Sequence, residues 1–162
     1  MNIYIASDHA GFDLKEELIP FIKDMGHDVV DMGATSLTPD DDYPDCILPC
    51  AKKVAEDVGS LGIILGGSGQ GEAMVANRVL GIRAAVFYGE AYLWEEASSF
   101  EDSTPSSDGY ALVALTREHN DANILSLGAR FVSPPVAMEA VRIFLTTEFS
   151  GDSRHVRRIS KF

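Results

Sequence analysis

An α/β fold, one parallel sheet between two helical layers, is predicted by three observations on this sequence. Short apolar runs recur along the chain, longer helix-patterned stretches alternate with them, and the links between the two are short. Apolar runs bounded by turn residues and separated by helices are what fills a parallel sheet buried on both faces. At 162 residues and 46% apolar content the chain fits a single domain, 1–162, with a sizeable core.

The elements follow in order. Residues 3–7 read as the first strand, 11–25 as a helix, 28–32 as a strand and 45–58 as a helix. The third strand is 62–65, inside the buried run Leu61-Gly62-Ile63-Ile64-Leu65, and a helix over 72–79 follows, with Met74 and Val75 expected in the core. Strands at 84–87 and 124–127 and a helix at 134–146 complete a single-domain, Rossmann-like three-layer sandwich with a central parallel sheet. One segment breaks the rhythm. Residues 89–110 carry six acidic side chains and the run Ser103-Thr104-Pro105-Ser106-Ser107. The first half could continue as a helix, and the second half reads as a loop.

Composition excludes several classes of function. A net charge of −12 argues against nucleic acid, which demands a basic face. No stretch approaches a membrane span, and the N-terminus enters a strand pattern without a basic region or cleavage site, so a cytoplasmic location is expected. Cys46 and Cys50 stand i, i+4, which suits neither a redox CxxC nor a zinc site, and they are expected to be reduced and structural. The four histidines form no metal motif, so no metal is expected, and His27 is expected in a surface turn. Positive charge gathers at the end, in a basic tail over 150–162 containing Arg154-His155-Val156-Arg157-Arg158. A solvated tail and an anion clamp both account for it.

Four glycines crowd the turn at 66–72, Gly-Gly-Ser-Gly-Gln-Gly-Glu, between the third strand and its helix. Glycines there allow backbone N–H groups to face a common centre, and the helix N-terminus adds partial positive charge. Such a turn would hold a phosphate or a developing oxyanion; a tight connection accounts for it as well. It is no nucleotide P-loop, because Glu72 stands where a lysine is needed, and Gly67, Gly69 and Gly71 do not match G-x-G-x-x-G. Ligands of such sheets bind beyond the carboxyl ends of the strands. That rule gathers Asp8 and His9 after the first strand, the glycine turn after the third, and Gly128-Ala129-Arg130 after a late one. Each alone could be a cap or turn residue; together they suggest a site.

Six motifs in register resemble the ribose-5-phosphate isomerase B family, which includes galactose-6-phosphate isomerase subunits. They are Ala6-Ser7-Asp8-His9-Ala10-Gly11, Asp42-Tyr43-Pro44-Asp45, residues 66–72 with Ala76-Asn77, residues 117–123, Gly128-Ala129-Arg130, and Arg154-His155-x-x-Arg-Arg. The resemblance implies aldose-ketose isomerisation of a sugar phosphate through a cis-enediolate, without metal or other cofactor. One branch of the family carries a cysteine base at the position of Gly66. The other, actinobacterial-like, has glycine there and a glutamate base, which falls on Glu72. The matching motifs imply His119 as the ring-opening acid, Asp8 assisting it, and Ser68 with the N–H groups of residues 67–71 as enediolate donors. They further imply substrate contacts from His9, Tyr43, Gly67, Gly69, Gln70, Gly71, Asn120, Arg130, Arg154 and Arg158. A homodimer, or a dimer of dimers, is expected, with the site at the interface. Residues 89–110 are expected to be an insertion serving as a lid or a dimer contact. Isomerisation of a six-carbon sugar phosphate, or sugar-phosphate binding without catalysis, are the alternative functions.

Overall fold

A computed structural model describes residues 1–91 and 109–162. Its five strands, β1 (Asn2–Ser7), β2 (Asp28–Asp31), β3 (Leu61–Gly66), β4 (Ala84–Phe87) and β5 (Ile124–Gly128), form one parallel sheet in the order β2-β1-β3-β5-β4. The described helices are α1 (Phe12–Asp24), α2 (Tyr43–Glu56), α3 (Gln70–Ala76), α4 (Ala111–Asn120), α5 (Pro134–Thr146) and α6 (Ser153–Ile159). All five expected strands are present.

The side-chain period of two divides the core. Ile63 and Leu65 of β3 join Leu14, Leu18 and Phe144 in the layer under α1 and α5, whereas Ile64 turns the other way to meet Ile47, Val54 and Ala76 under α2 and α3. Every residue of β3 is buried, as a central parallel strand requires. The three-layer sandwich follows from these two apolar faces.

Order β2-β1-β3 means that the chain leaves β1 first to one side and then returns to the other. The carboxyl ends of β1 and β3 therefore flank the crevice where such sheets take ligands. Register aligns them, pairing Ser7 with Leu65 and Gly66 with Gly128. The loop after β2 is held over this edge. The fully buried Lys15 of α1 bonds both Glu16 and Asp31, Asp31 accepts from the Gly33 N–H, and the Ala34 N–H donates to the Ser7 carbonyl. At Gly33 a Cβ would stand 2.5 Å from the Ser7 nitrogen, so only glycine permits that approach.

The structure departs from expectation at five points. Residues 150–162 are not a free tail: α6 forms within them and docks on α4 through the buried His155. Helix α4, absent from the sequence reading, precedes β5. Helix α3 runs from Gln70 to Ala76 rather than over 72–79, and α2 begins at Tyr43 rather than at residue 45. Met74 is 67% exposed, not core, because the buried side of so short a helix is taken by Glu72, Ala73 and Ala76.

The expected insertion near 89–110 lies mostly outside the described residues, and the lid or contact expected of it lies there too. Its described ends meet: the Ala91 N–H donates to the Gly109 carbonyl at 2.8 Å, and Phe87 stacks on Tyr110 with centroids 5.8 Å apart.

Candidate active site

The first wall of the crevice is the turn after β1. Asp8 has extended backbone and caps the 3-10 turn at residues 9–11, its Oδ1 accepting from the N–H groups of Ala10 (3.0 Å) and Gly11 (3.3 Å). Gly11 lets this turn press against the strand ends, since a Cβ there would lie 2.6 Å from Leu65 Cβ. His9 is fixed from the loop after β2: Asp41 Oδ1 accepts from its backbone N–H at 3.1 Å and lies 2.6 Å from its Nδ1. Burial alone would raise the Asp41 carboxyl, but these bonds from His9 bring it below its ordinary value.

The second wall is the glycine turn. Gly69, at φ +74, provides the left-handed step into α3, and the buried Ser126 hydroxyl donates to its carbonyl at 2.6 Å. The β5 end is tied to the same turn by hydrogen bonds from Ala129 N–H to the Gly66 carbonyl and from Arg130 N–H to that of Gly67. The Arg130 guanidinium lies over Gly67, 3.4 Å from where a Cβ would stand, and the Tyr43 ring covers Gly71 at 2.8 Å by the same measure. The Gln70 N–H donates to Ser68 Oγ at 3.3 Å.

Glu72 occupies the third position of α3 and folds back toward the strand end. It is 4% exposed, and its Oε1 stands 1.8 Å from where a Cβ on Gly66 would be. A side chain at 66 and a carboxylate in this place therefore exclude one another. Burial pushes the Glu72 carboxyl above its usual range and the nearby Asp8 adds to the rise, while its own N–H and that of Gly69 oppose it. Its Oε2 is buried without a hydrogen-bond partner among the described residues. A buried, water-poor carboxylate whose affinity for a proton is raised is suited to taking a proton from carbon. Asp8, His9, Ser68, Gly67, Gly69, Gly71, Tyr43, Arg130 and Glu72 thus gather at the carboxyl edge of the sheet; Gln70 starts α3 there with its side chain exposed.

His119, Asn120, Arg154 and Arg158 are elsewhere. Helix α4 leads into β5, so its last turn lies at the amino edge of the sheet: the Asn123 carbonyl accepts from Gly62 N–H, and Arg83, just before β4, bonds the carbonyls of Asn120 and Asp121. From Gly62 to Gly66 is roughly 13 Å of strand. There His119 stacks on His155 of α6, the same helix that carries Arg154 and Arg158. The residues expected to form one site therefore stand in two groups at opposite edges of the sheet. The sequence held the signal for this split, because a helix that runs into a parallel strand must end at that strand's amino edge.

Asp8, His9 and Asp41 also bring ligand atoms within 4.8 Å of one another, but His9 Nδ1 and Asp8 Oδ1 already hold protein partners. Among the described residues no helix is long and apolar enough to cross a membrane.

A family model described as Ribose/Galactose Isomerase matches residues 3–97 and 109–162. Similar proteins include ribose-5-phosphate isomerase B of Mycobacterium tuberculosis, 38% identical over 98% of this chain and 86% of that one. The protein of the same name from Mycolicibacterium paratuberculosis is 40% identical over 98% and 87%. Among solved structures, ribose-5-phosphate isomerase B from Mycoplasma genitalium with bound ribulose-5-phosphate superposes with a TM-score of 0.83 at 36% identity, covering 99% of this chain and 92% of that one.

Proposed function

Because the chain belongs to the Ribose/Galactose Isomerase family and is an aldose-ketose isomerase, we propose that its substrates are ribose 5-phosphate and ribulose 5-phosphate, interconverted through a cis-enediolate. The observation that carries this reading is Glu72, buried over a glycine at the strand end with an oxygen left unpartnered.

In the forward direction a proton reaches the ring oxygen O4, the O1 hydroxyl loses its own, and the C1–O4 bond breaks to give the open aldehyde. His119 serves this step, assisted by Asp8. Glu72 then takes the proton from C2. The charge that develops on the two oxygens is met by the Ser68 hydroxyl and the N–H groups of residues 67–71, which are already oriented and need not reorganise. Return of that proton to C1, with the O2 hydroxyl proton passed to O1, gives the ketose. His9, Arg130, Arg154 and Arg158 hold the phosphate, Asn120 the sugar, and Tyr43 lies along its edge. No step uses a metal or other cofactor. The reading places the enzyme in the cytoplasm.

This mechanism requires the two half-sites to meet, which one chain does not allow. A homodimer solves the problem by setting the His119 end of one copy against the Glu72 end of the other. The outward-facing Met74, two residues from Glu72, and Phe131 beside Arg130 are 67% and 65% exposed, surface that a second copy would cover.

The test is isomerisation of ribose 5-phosphate by chelated, metal-free protein beside Glu72→Gln, with allose 6-phosphate and galactose 6-phosphate for comparison. Loss of a general base removes about 10²–10⁴ of kcat, and that loss in a folded variant is the expected result. Full activity of the variant would remove Glu72 from the role, and preference for a six-carbon substrate would move the substrate assignment.

A further inference from the structure

We propose that His155 is a positioning residue that sets the geometry of both His119 and Arg154, and through them couples ring opening to the grip on the phosphate. The proposal rests on the reading of His119 as the ring-opening group. His155 is the buried residue of α6, 3% exposed, on a helix whose arginines point outward. Its ring lies nearly parallel to that of His119, 13° between planes and 4.3 Å between centroids. The Arg154 Nε–H donates to its Nε2 at 3.1 Å.

Those two contacts determine its protonation state. A nitrogen that accepts from a guanidinium carries no proton, so His155 holds its single proton on Nδ1 and is neutral. Burial first, and then the neighbouring His119 and Arg154, keep it below the usual imidazole range in agreement with this. Two imidazolium rings at this separation would repel. A neutral ring instead offers a flat, polarisable face on which His119 can rest in either of its own protonation states while it delivers and recovers a proton. On its other side the same ring, together with the Asp152 carboxylate 4.0 Å from Nε, narrows the freedom of Arg154, whose side chain is 40% exposed.

A directional kinetic test separates positioning from mere structure. Ribose 5-phosphate closes on itself as a furanose and must be opened. Ribulose 5-phosphate, with its carbonyl at C2 and its O5 phosphorylated, has no hydroxyl that can close a five-membered ring. The ratio of the two kcat/KM values is fixed by the overall equilibrium, so the difference is read in kcat at saturation in each direction. His155→Leu, His155→Phe and His119→Asn are compared.

Expected for His155→Leu is a fall in kcat from ribose 5-phosphate of about tenfold, with kcat from ribulose 5-phosphate held near wild type. His155→Phe preserves a flat ring but not the acceptor, so its kcat from ribose 5-phosphate stays above that of the leucine variant while KM rises for both substrates. Equal losses in the two directions for both His155 variants would make the residue merely structural and overturn the proposal. A directional loss in His119→Asn with both His155 variants at wild-type values would overturn the positioning role alone. Equal losses in His119→Asn would remove the ring-opening reading and this proposal with it. Should the leucine variant not fold, the phenylalanine variant decides through its KM.

Discussion

At the level of single residues, Glu72 and Gly66 act as a pair. An alanine at 66 would put its methyl carbon where the Glu72 carboxylate sits, yet the atom it meets is the movable end of a side chain. Gly66→Ala is therefore expected to leave the chain folded and to lower kcat as far as Glu72→Gln does, by about 10²–10⁴; a melting curve beside a rate measurement checks both halves. The buried carboxyl also links stability to pH. Its pKa is raised on folding, so the folded chain holds the proton more tightly than the unfolded one. The stability it contributes is complete below the ordinary value of 4.5 and is lost as pH rises through the elevated folded value. Glu72→Gln should consequently melt higher than wild type at neutral pH, with the gap closing on acidification. Catalysis has the opposite slope, since the base must be deprotonated, and the rising limb of the rate profile should lie above the usual glutamate range.

At the level of elements, the two cysteines of α2 and the neck at 91 and 109 each give a test. Burial pushes the Cys50 thiol up to about 12, and burial with nearby aspartates raises Cys46, so neither should alkylate readily in the native protein at mildly alkaline pH while both do so on unfolding. The bond between Ala91 and Gly109 brings the chain together before and after residues 92–108. Replacing those residues with a short glycine linker should preserve the circular dichroism and melting temperature, because the sheet and both core layers close without them. The five strands were legible because a central parallel strand must be apolar on both faces, as Leu61-Gly62-Ile63-Ile64-Leu65 is. Helix α6 was not, because its single buried side chain is a histidine among arginines and leaves no apolar stripe to read. Met74 misled for the complementary reason: an apolar side chain in a seven-residue helix reads as core when nothing reveals the surface beyond the chain.

At the level of the whole molecule, the residues of the candidate site were legible and their arrangement was not. Motif by motif the sequence pointed to Asp8, the glycine turn, Glu72 and Arg130, and topology brings these together at one edge. That His119 and its arginines stand at the other edge went unread because α4, the helix that ends at the amino edge of β5, was not recognised as a helix. A mixing experiment tests the consequence. If two copies share each site as proposed, Glu72→Gln and His119→Asn proteins should each turn over ribose 5-phosphate poorly. Unfolding and refolding them together should restore about a quarter of wild-type activity, since half the dimers are mixed and each mixed dimer has one intact site. No recovery would mean that each site draws on one chain alone.

The close approach of Gly66 to Glu72 also bears on how such an enzyme could change its chemistry over generations. Placing a cysteine at 66 while the glutamate remains would push the carboxylate aside and leave a thiol next to a negative charge, where it resists ionisation. With Glu72 as the proposed base, losing the glutamate first would leave a glycine and no base. Neither one-residue step passes through a working catalyst. On the proposed role of Glu72, a cysteine at 66 and a glutamate at 72 are therefore separate solutions, and a lineage can cross between them only by changing both positions at once or by a period in which the activity is not needed.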